Sequence, residues 1–405
     1  MVKLTALVTN ATDEPGLAAI RSLNRAGFDV VGADFRRLPF GARSRYLRAN
    51  HVLPQAHQTD LDQHLLNLVR QLQPQVFLPV GSLGVMAASR NLEKFSAVAP
   101  LNVPDFDAFL AAWNKTACMA ECRRLGIPAP SVYSERDALD LFRGSGQEEP
   151  LVVKPNIDVG AAAGVSYVSC PETLRTAVQA CREQFGGALI QEYIPGGVEA
   201  MRTAVLLFAH DSRLAAAFTT RKIRQWPTTG GLTAASCSTC ERLLVDQVLP
   251  FFQYWRWRGA AEVELKLDPR DGNFKVIEIN PRFPAYLRFI SHCGLDMPSL
   301  AADLALGRVS VPPTEPMVYT VGAKYLHPGV FLQSVLSDFR SPQSKIQVIR
   351  KALGDLRGSA SVVLSMLSDP IPLTARMLGG MRNGRPAVCP SPEQSVEQRL
   401  TGGNG

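Results

Sequence analysis

The stretch GNFKVIEINPRF, residues 272–283, places a carboxylate and an amide two positions apart near the end of an apolar segment. In a β-strand, alternate side chains leave the same face, so Glu278 and Asn280 are predicted to point the same way. Their oxygen atoms suit Mg²⁺, which takes such donors and shares its shell with phosphates. Pro281 ends the strand, and Arg282 follows with a permanent charge. An edge strand with a polar outer face, closed by a proline turn, explains the same residues.

Two lysines are candidates for phosphate binding. Lys154 ends the apolar segment PLVVKP, ahead of a loop that contains Gly160 and Gly164. A cation beside a loop that brings backbone N–H groups close to a ligand can hold phosphate, although a lysine at a strand end can also simply reach water. The loop is not a Walker P-loop, because no GK[ST] follows. Lys115, near the start of the preceding helix, supplies a second cation or is solvated.

Further acids could read a nucleotide or complete a metal site. Glu192 and Glu199 flank the glycine turn of QEYIPGGVEAM. They can accept hydrogen bonds from an adenine amine and from ribose hydroxyls, or they are exposed acids of an ordinary hairpin. If the segments EVELKLD and FKVIEIN form a hairpin around the turn DPRDGNF, Glu264 faces Glu278 and adds a third oxygen donor. Glu262 shares that face, so spacing leaves either glutamate as the ligand.

The elements that must position these residues form two regions with different patterns of strands and helices. The first 100 or so residues alternate strands and helices, which predicts an open parallel sheet; its first turn lacks GxGxxG. From Phe106 onward, one helix over FDAFLAAWNKTACMAECRRLG precedes strands joined by short turns, which indicates an α+β region with mostly antiparallel pairing. After Pro298 come helical stretches broken by prolines, and then a tail.

Composition narrows the function classes. The 405 residues are 46% hydrophobic and 20% charged, which is typical of a globular protein with two or three cored units. No apolar run is long enough to predict a membrane span, and the short apolar start indicates a first strand instead of a signal peptide, so we expect a cytoplasmic protein. The net charge of +7 suits an enzyme that handles phosphates, and the absence of basic runs and of zinc-finger spacing disfavours nucleic-acid binding. The eight cysteines, including Cys237 and Cys240 of CSTC, are predicted to be free thiols.

The order of these motifs resembles the ATP-grasp superfamily from about residue 1 to 310, and most closely its carboligase-like branch of carboxylate–amine ligases. The motifs are NKTACMAECRRLGIPAP, LVVKP, a small-residue loop, QEYIPGGVE, EVELKLD and EINPR, with SRY at Ser44 to Tyr46 and the later SDPIPL. The resemblance implies a combined α/β and α+β fold in four parts. These are a Rossmann-like pre-ATP-grasp domain (1–105), a small ATP-grasp lobe with a linker helix (106–190), a large lobe with the metal site (191–310) and a C-terminal helical extension and tail (311–405).

The resemblance also implies a role for each candidate residue. The ATP phosphates would be bound by Lys115, Lys154 and the loop with Gly160 and Gly164. Adenine would be bound by Glu192 and the backbone of Tyr193 and Ile194, and ribose by Glu199. Mg²⁺ (or Mn²⁺) would be bound by Glu264, Glu278 and Asn280. Arg282 would steady the transferring phosphoryl group, and Arg221 or Arg224, in the flexible basic loop RKIRQWPTTGG, would contact the substrate carboxylate.

The implied activity is ATP-dependent ligation of a small carboxylate to an amine. An acylphosphate forms, ADP and phosphate are released, and an amide or peptide bond results, as in the acid–amino-acid ligases of class EC 6.3. The resemblance is compatible with a homodimer. A non-catalytic ATP-binding sensor or partner protein is the alternative, and a dehydrogenase is disfavoured by the missing glycine motif. The basic stretch from Ser334 to Arg385 either docks on anionic surfaces or is the solvated face of helices.

Overall fold

The computed structural model describes residues 4–35, 44–54, 58–144, 149–158, 160, 162–228, 230–309, 315–340 and 344–358. The predicted SDPIPL motif, most of the basic C-terminal stretch and the tail lie outside these described residues. Strands in the described part form three sheets.

The first sheet is parallel throughout, as the alternating pattern predicts. Its strand order is β3-β2-β1-β4. The strands are β1 (Thr5–Thr9), β2 (Asp29–Asp34), β3 (Leu47–Val52) and β4 (Val76–Leu78). The helices of this region are α1 (Glu14–Arg25), α2 (Gln58–Leu72), α3 (Ser82–Arg90) and α4 (Leu92–Ser96). Strands buried on both faces, such as β1, explain the nearly continuous apolar runs in the sequence.

Helix α1 begins in very close contact with the turn after β1. A Cβ atom built on Gly16 would lie 1.9 Å from the backbone oxygen of Asn10, a distance at which atoms cannot coexist. We therefore expect Gly16→Ala to lower stability by about 1–3 kcal/mol or more, because a backbone group must move to make room. The melting temperature measures this effect.

Gly354→Ala is the matched control for this prediction. Gly354 lies in the helix Lys345–Leu356, and no atom lies within 4 Å of its Cβ position. Alanine there should therefore leave the stability of the protein unchanged or raise it. Equal melting temperatures for the two variants would contradict the close approach at Gly16.

A linker of two short helices follows the first sheet. The sequence predicts one continuous helix here, and this is wrong: α5 (Phe106–Trp113) and α6 (Lys115–Arg124) are separated at Asn114. Asn114 has extended backbone angles, and its side-chain oxygen accepts a hydrogen bond from the N–H of Ala117 at 3.0 Å, which makes it the N-cap of α6. The break places Lys115 at the first turn of a helix, facing the next lobe.

The small sheet is antiparallel, with strand order β5-β8-β6-β7. Its strands are β5 (Val132–Tyr133), β6 (Leu151–Lys154), β7 (Ser166–Val168) and β8 (Leu189–Glu192). Helices α7 (Glu135–Arg143) and α8 (Pro171–Phe185) belong to this lobe. Leu151 and Val153 of β6 pack with Leu174 and Val178 of α8 in a core of their own. Alternation along β6 therefore fixes the position of Lys154 at its end.

The large sheet is also antiparallel, with strand order β13-β12-β9-β10-β11-β14. Its strands are β9 (Met201–Phe208), β10 (Leu214–Trp226), β11 (Leu232–Thr239), β12 (Gly259–Leu267), β13 (Phe274–Asn280) and β14 (Lys324–Leu326). Because β14 pairs with β11, the sheet extends beyond the lobe boundary predicted at residue 310. The associated helices are α9 (Arg242–Tyr254), α10 (Leu287–His292), α11 (Met297–Ala305), α12 (Pro328–Phe339) and α13 (Lys345–Leu356).

The two faces of the large sheet have different neighbours. Leu206 and Val263 pack against α9 on one face. On the other face, Val205 and Leu207 pack with Ile20 of α1 and with the region of α10 and α11. The same face carries polar side chains toward the other end of its strands, beginning with Thr203 on β9. This polar end of the sheet is where the candidate residues gather.

Candidate active site

The hairpin of β12 and β13 forms the floor of the site. Glu264 pairs in register with Glu278, and Glu262 pairs with Asn280. The amide nitrogen of Asn280 donates a hydrogen bond to Glu278 Oε1 at 3.1 Å, so the prediction that these two side chains share a face is confirmed. Strand β13 is the edge strand of the sheet, but the side chains on its polar face contact other side chains of the protein.

Lys115 reaches this floor from the first turn of α6. Its Nζ lies 2.8 Å from Glu278 Oε2. Its backbone N–H donates to the carbonyl oxygen of Asn156, in the loop after β6, at 2.6 Å. One residue thus joins the linker, the small lobe and the large sheet.

Lys154 approaches the same carboxylate from the small lobe. It is 5% exposed, and its Nζ donates to the carbonyl oxygen of Ile277, next to Glu278, at 3.2 Å. The cations Lys115 and Lys154, placed far apart in the sequence, therefore converge beside Glu278: Lys115 pairs with its carboxylate, and Lys154 binds the neighbouring backbone carbonyl. This convergence is what the sequence motifs predict for a phosphate-binding cleft.

The electrostatics of these three groups follow from burial and mutual attraction. Burial by itself would raise the pKa of Glu278, but Lys115 and Lys154 outweigh it and hold the pKa below its ordinary value. Burial would likewise lower the pKa of Lys115, yet Glu278 and Asp158 raise it. For Lys154, burial and the neighbouring Lys115 lower the pKa to about 8, against the opposing effect of Glu278. The site keeps its carboxylate ionised.

Arg282 lies beyond the end of β13 and bridges the two lobes. Its guanidinium lies 2.8 Å from Glu262 Oε2 and 3.4 Å from Asp158 Oδ2 in the loop after β6. Burial raises the pKa of Glu262 to about 7, although Arg282 opposes this. Glu262 is thus engaged by Arg282, and Glu264 is engaged by Lys222 at 2.9 Å, so the choice of metal ligand that the sequence left open stays a prediction.

The loop after β6 has a backbone shaped for close approach. Gly164 has φ +75°, and a Cβ there would lie 2.5 Å from the Phe185 ring, so glycine is required on both counts. Gly160 donates its N–H to Asp158 Oδ1 at 2.9 Å. Positions 159 and 161 lie outside the described residues.

The residues predicted to bind adenine and ribose lie at the end of β8 and in the segment that follows it. Ile194 is buried, and the Lys266 ammonium lies 5.1 Å from the centre of the Tyr193 ring. Glu199 accepts a hydrogen bond from the Gly197 N–H at 3.0 Å. Lys266 is two positions after Glu264 on β12, and this links the segment to the floor of the site.

Glu192 already has partners within the protein. Its Oε2 accepts from the Ser131 N–H at 2.9 Å, and its Oε1 pairs with Arg270. The adenine role of Glu192 stays a prediction, and the unused lone pairs of its carboxylate can accept a further hydrogen bond.

The two arginines predicted to meet the substrate carboxylate are not placed for that role. Residues Arg221 to Trp226 belong to strand β10, not to a flexible loop. Arg221 lies on the face of β10 opposite Lys222, because neighbouring strand residues alternate. Arg224 is 4% exposed and pairs with Asp338 of α12 and Asp355 of α13, so it anchors these helices to the sheet.

Lys222 is the site residue that sequence reasoning missed. It is 3% exposed, and its Nζ lies 2.9 Å from Glu264 Oε2. Burial would lower its pKa, but Glu264 and Glu262 raise it. The signal was present in TTRKIRQW, since strand alternation puts Lys222 on the face of the buried Thr220, but only the sheet order shows that this face carries Glu264.

The oxygen donors fit a divalent metal that completes its shell with water and phosphate. Glu264, Glu278 and Asn280 offer two carboxylates and an amide on one face, which is hard-donor chemistry suited to Mg²⁺. Across the described ranges, no group of three or more His, Cys, Asp or Glu side chains is arranged to hold a metal ion by itself. All cysteines described in these ranges are free thiols, as predicted.

A cavity lies elsewhere on the molecule. This cleft has a volume of about 780 Å³ and is lined by the turn between β9 and β10, the end of α9 and Asp105. None of the predicted site residues lines it. Within the described part of the chain, no helix combines the length and apolarity that crossing a bilayer requires.

Comparison with solved structures identifies the fold. The biotin carboxylase domain of Hydrogenobacter thermophilus 2-oxoglutarate carboxylase, a dimer solved with MgADP and bicarbonate, superposes with a TM-score of 0.64 at 13% identity, over 80% of this chain and 74% of that chain. L-amino acid ligase from Bacillus licheniformis superposes with a TM-score of 0.56 at 18% identity, over 75% of this chain and 74% of that chain. The chain has the ATP-grasp fold.

A curated relative shares part of this ATP-grasp chain. D-aspartate ligase from Enterococcus faecium (strain Aus0004) is 23% identical over 215 residues, which are 48% of this chain and 49% of that protein. The chain thus matches about half the length of this relative. No family model matches the sequence.

Proposed function

We propose that the protein is an ATP-dependent carboxylate–amine ligase. The observation that carries the proposal is the convergence of two lysines between two lobes of an ATP-grasp fold. Lys115 pairs with Glu278, and Lys154 binds the adjacent carbonyl of Ile277. D-aspartate ligase and L-amino acid ligase, to which the chain is similar, are named as ligases of amino acids, and this supports amino acids as the substrate class.

Each residue of the site has a task in this proposal. Lys115 and Lys154 bind the phosphates of ATP, and the loop with Gly160 and Gly164 closes over them and excludes water. Glu264, Glu278 and Asn280 hold Mg²⁺, which neutralises the phosphate oxygens when bound. Tyr193, Ile194, Glu192 and Glu199 surround the nucleoside. Arg282 neutralises the phosphoryl group in transfer.

The reaction proceeds in two displacements. A substrate carboxylate oxygen bonds to the γ-phosphorus while the bond from that phosphorus to the β–γ bridging oxygen breaks, and ADP leaves. The amine nitrogen then attacks the carbonyl carbon of the acylphosphate. Phosphate departs with the electron pair of the C–O bond, and the nitrogen loses a proton. No nucleophilic side chain is needed, because phosphate leaves the activated carbonyl more readily than hydroxide would leave the free acid.

We also infer the finer organisation from the sequence motifs and the fold. The first sheet is the Rossmann-like pre-ATP-grasp domain, the small and large sheets are the two lobes, and α12 and α13 begin the C-terminal extension. The expected use of ATP and Mg²⁺ is supported by the MgADP bound in a structural neighbour. A homodimer in the cytoplasm, acting on small carboxylates and amines, completes the proposal.

A substrate-pool assay tests the activity. We expect purified protein with Mg²⁺, ATP and a mixture of amino acids to release ADP and phosphate. Mass spectrometry should then show a product whose mass equals two substrates less one water. Reactions without ATP, and with Glu278→Ala, are the controls. ATP binding without turnover across broad acid and amine panels would contradict the ligase and favour a nucleotide-binding sensor.

A further inference from the structure

Lys222 occupies a position that calls for an anion. A buried ammonium is costly unless it is paired, and Lys222 pairs with Glu264 at 2.9 Å. Strand β9 lies between β10 and β12 in the sheet, so the Lys222 side chain extends across β9, over Thr203, to reach Glu264. Glu264 is also the glutamate that stands opposite Glu278 and is proposed to bind Mg²⁺.

The lysines approach the metal carboxylates from two directions. Lys115 reaches Glu278 from α6, and Lys154 reaches the adjacent carbonyl of Ile277 from β6, both at the edge strand β13. Lys222 reaches Glu264 from β10, in the interior of the sheet. The pair of glutamates therefore separates Lys222 from the lysines proposed to hold the nucleotide. Lys222 therefore lies on the side of the glutamates that is away from the lysines proposed to hold the nucleotide.

Three nearby arginines do not compete with Lys222 for this role, since two are already paired and one faces away. Arg224 is bound to Asp338 and Asp355, and Arg221 lies on the opposite face of the strand. Arg282 is held by Glu262 and Asp158. Among these four cations, only Lys222 pairs with a carboxylate, Glu264, that is itself a proposed metal ligand.

We propose that Lys222 binds the carboxylate of the acid substrate, and that Glu264 holds Lys222 in place until Mg²⁺ takes this glutamate. The inference rests on the proposed ligase function. When Mg²⁺ and the nucleotide bind, Glu264 turns from the ammonium to the metal, and Lys222 is left as an unpaired buried cation. The substrate carboxylate restores its ion pair. One carboxylate oxygen is thereby oriented toward the γ-phosphorus, and ADP leaves as this oxygen bonds to it.

A binding measurement tests the exchange at Glu264 without turnover. Mg²⁺ is titrated at fixed ADP, and the rise in melting temperature is followed for wild type, Lys222→Met, Lys222→Arg and Lys324→Met. Lys324 is the matched control, since it lies on β14 of the same sheet and donates to the Gly354 carbonyl at 3.2 Å. We expect Lys222→Met to need several-fold less Mg²⁺, because no ammonium competes for Glu264. An unchanged Mg²⁺ midpoint would overturn the exchange.

A kinetic measurement tests the contact with the acid. The probe is an equimolar pool of the proteinogenic L-amino acids with D-aspartate, and ADP release is recorded against pool and ATP concentrations. Lys222→Met should raise the apparent KM for the pool by roughly 10- to 100-fold, because a hydrogen bond to a charged group is lost. The KM for ATP should stay unchanged. Lys222→Arg should recover part of the loss, and Lys324→Met should behave as wild type.

The outcomes separate the two proposals. Normal turnover by Lys222→Met with an unchanged pool KM overturns the role of Lys222 alone, as does a raised KM for ATP. If Lys222→Met does not fold, Lys222→Arg decides on the same two constants. Absence of pool-dependent ADP release from the wild type overturns the ligase function and this inference with it.

Discussion

Glu278→Gln is expected to lower ATP turnover by roughly 100- to 1000-fold, the range found when one electrostatic contact to a transition state is removed. The substitution keeps the size of the side chain and removes its charge. Lys115, 2.8 Å away, and Lys154 then lose the anion that holds them together, and the proposed metal loses a ligand. We therefore expect MgADP to raise the melting temperature of this variant less than that of the wild type.

Glu121→Gln is the control for this prediction. Glu121 lies on α6, the helix that begins at Lys115, and it pairs with Arg124 on the surface at 2.7 Å. Exposed pairs of this kind contribute little, about 0–1 kcal/mol, so activity should match the wild type. Turnover of Glu278→Gln at the level of Glu121→Gln would contradict the assignment of the site.

Arg224→Met is expected to release the C-terminal helices from the large sheet. The Arg224 Nε lies 2.9 Å from Asp355, its NH1 lies 3.0 Å from the Ser334 hydroxyl, and Asp338 contacts the same guanidinium. Removing the cation leaves carboxylates partly buried without a counter-charge, which costs about 3–5 kcal/mol. The cost falls on the contact of α12 and α13 with β10.

Hydrogen exchange measured by mass spectrometry checks this prediction. Peptides from α12 and α13 should exchange much faster in Arg224→Met than in the wild type, while peptides from the first sheet should be unaffected. Arg242→Met, which removes an exposed pair with Asp246, is the matched control and should change neither. Unaltered exchange in α12 and α13 would show that Arg224 is not their anchor.

The hairpin at the centre of the site could be predicted from the sequence because its determinants are local. Strand alternation fixes the shared face of Glu278 and Asn280. The pairing of Glu264 with Glu278 also needs a register shift between Glu264 and Leu265, because the register nearest the turn would set Glu264 against Ile277. Lys154 at the end of β6 follows from the same alternation. The parallel first sheet follows from the alternation of strands and helices.

The cations on β10 could not be assigned from the sequence, because their partners are distant in the chain. Lys222 meets Glu264 across an intervening strand, and this depends on the sheet order. Arg224 is buried by helices more than 100 residues further along, as its contact with Ser334 shows. A register shift between Lys222 and Arg224 also breaks the simple alternation.

The break at Asn114 has a similar explanation. Helical periodicity continues through this residue, so the sequence predicts one helix. The contact of the Lys115 N–H with Asn156, at 2.6 Å, is tertiary and overrides this local preference. The consequence is functional, since the break directs Lys115 at Glu278.

A crystal structure of the protein with Mg²⁺ and a non-hydrolysable ATP analogue tests the central claim most directly. The account predicts phosphate oxygens in contact with Lys115 and Lys154, and Mg²⁺ bound by Glu264, Glu278 and Asn280. It also predicts the adenine beside Tyr193 and Ile194. A nucleotide seated in the cleft beside Asp105, or anywhere else away from Lys154 and Glu278, would contradict it.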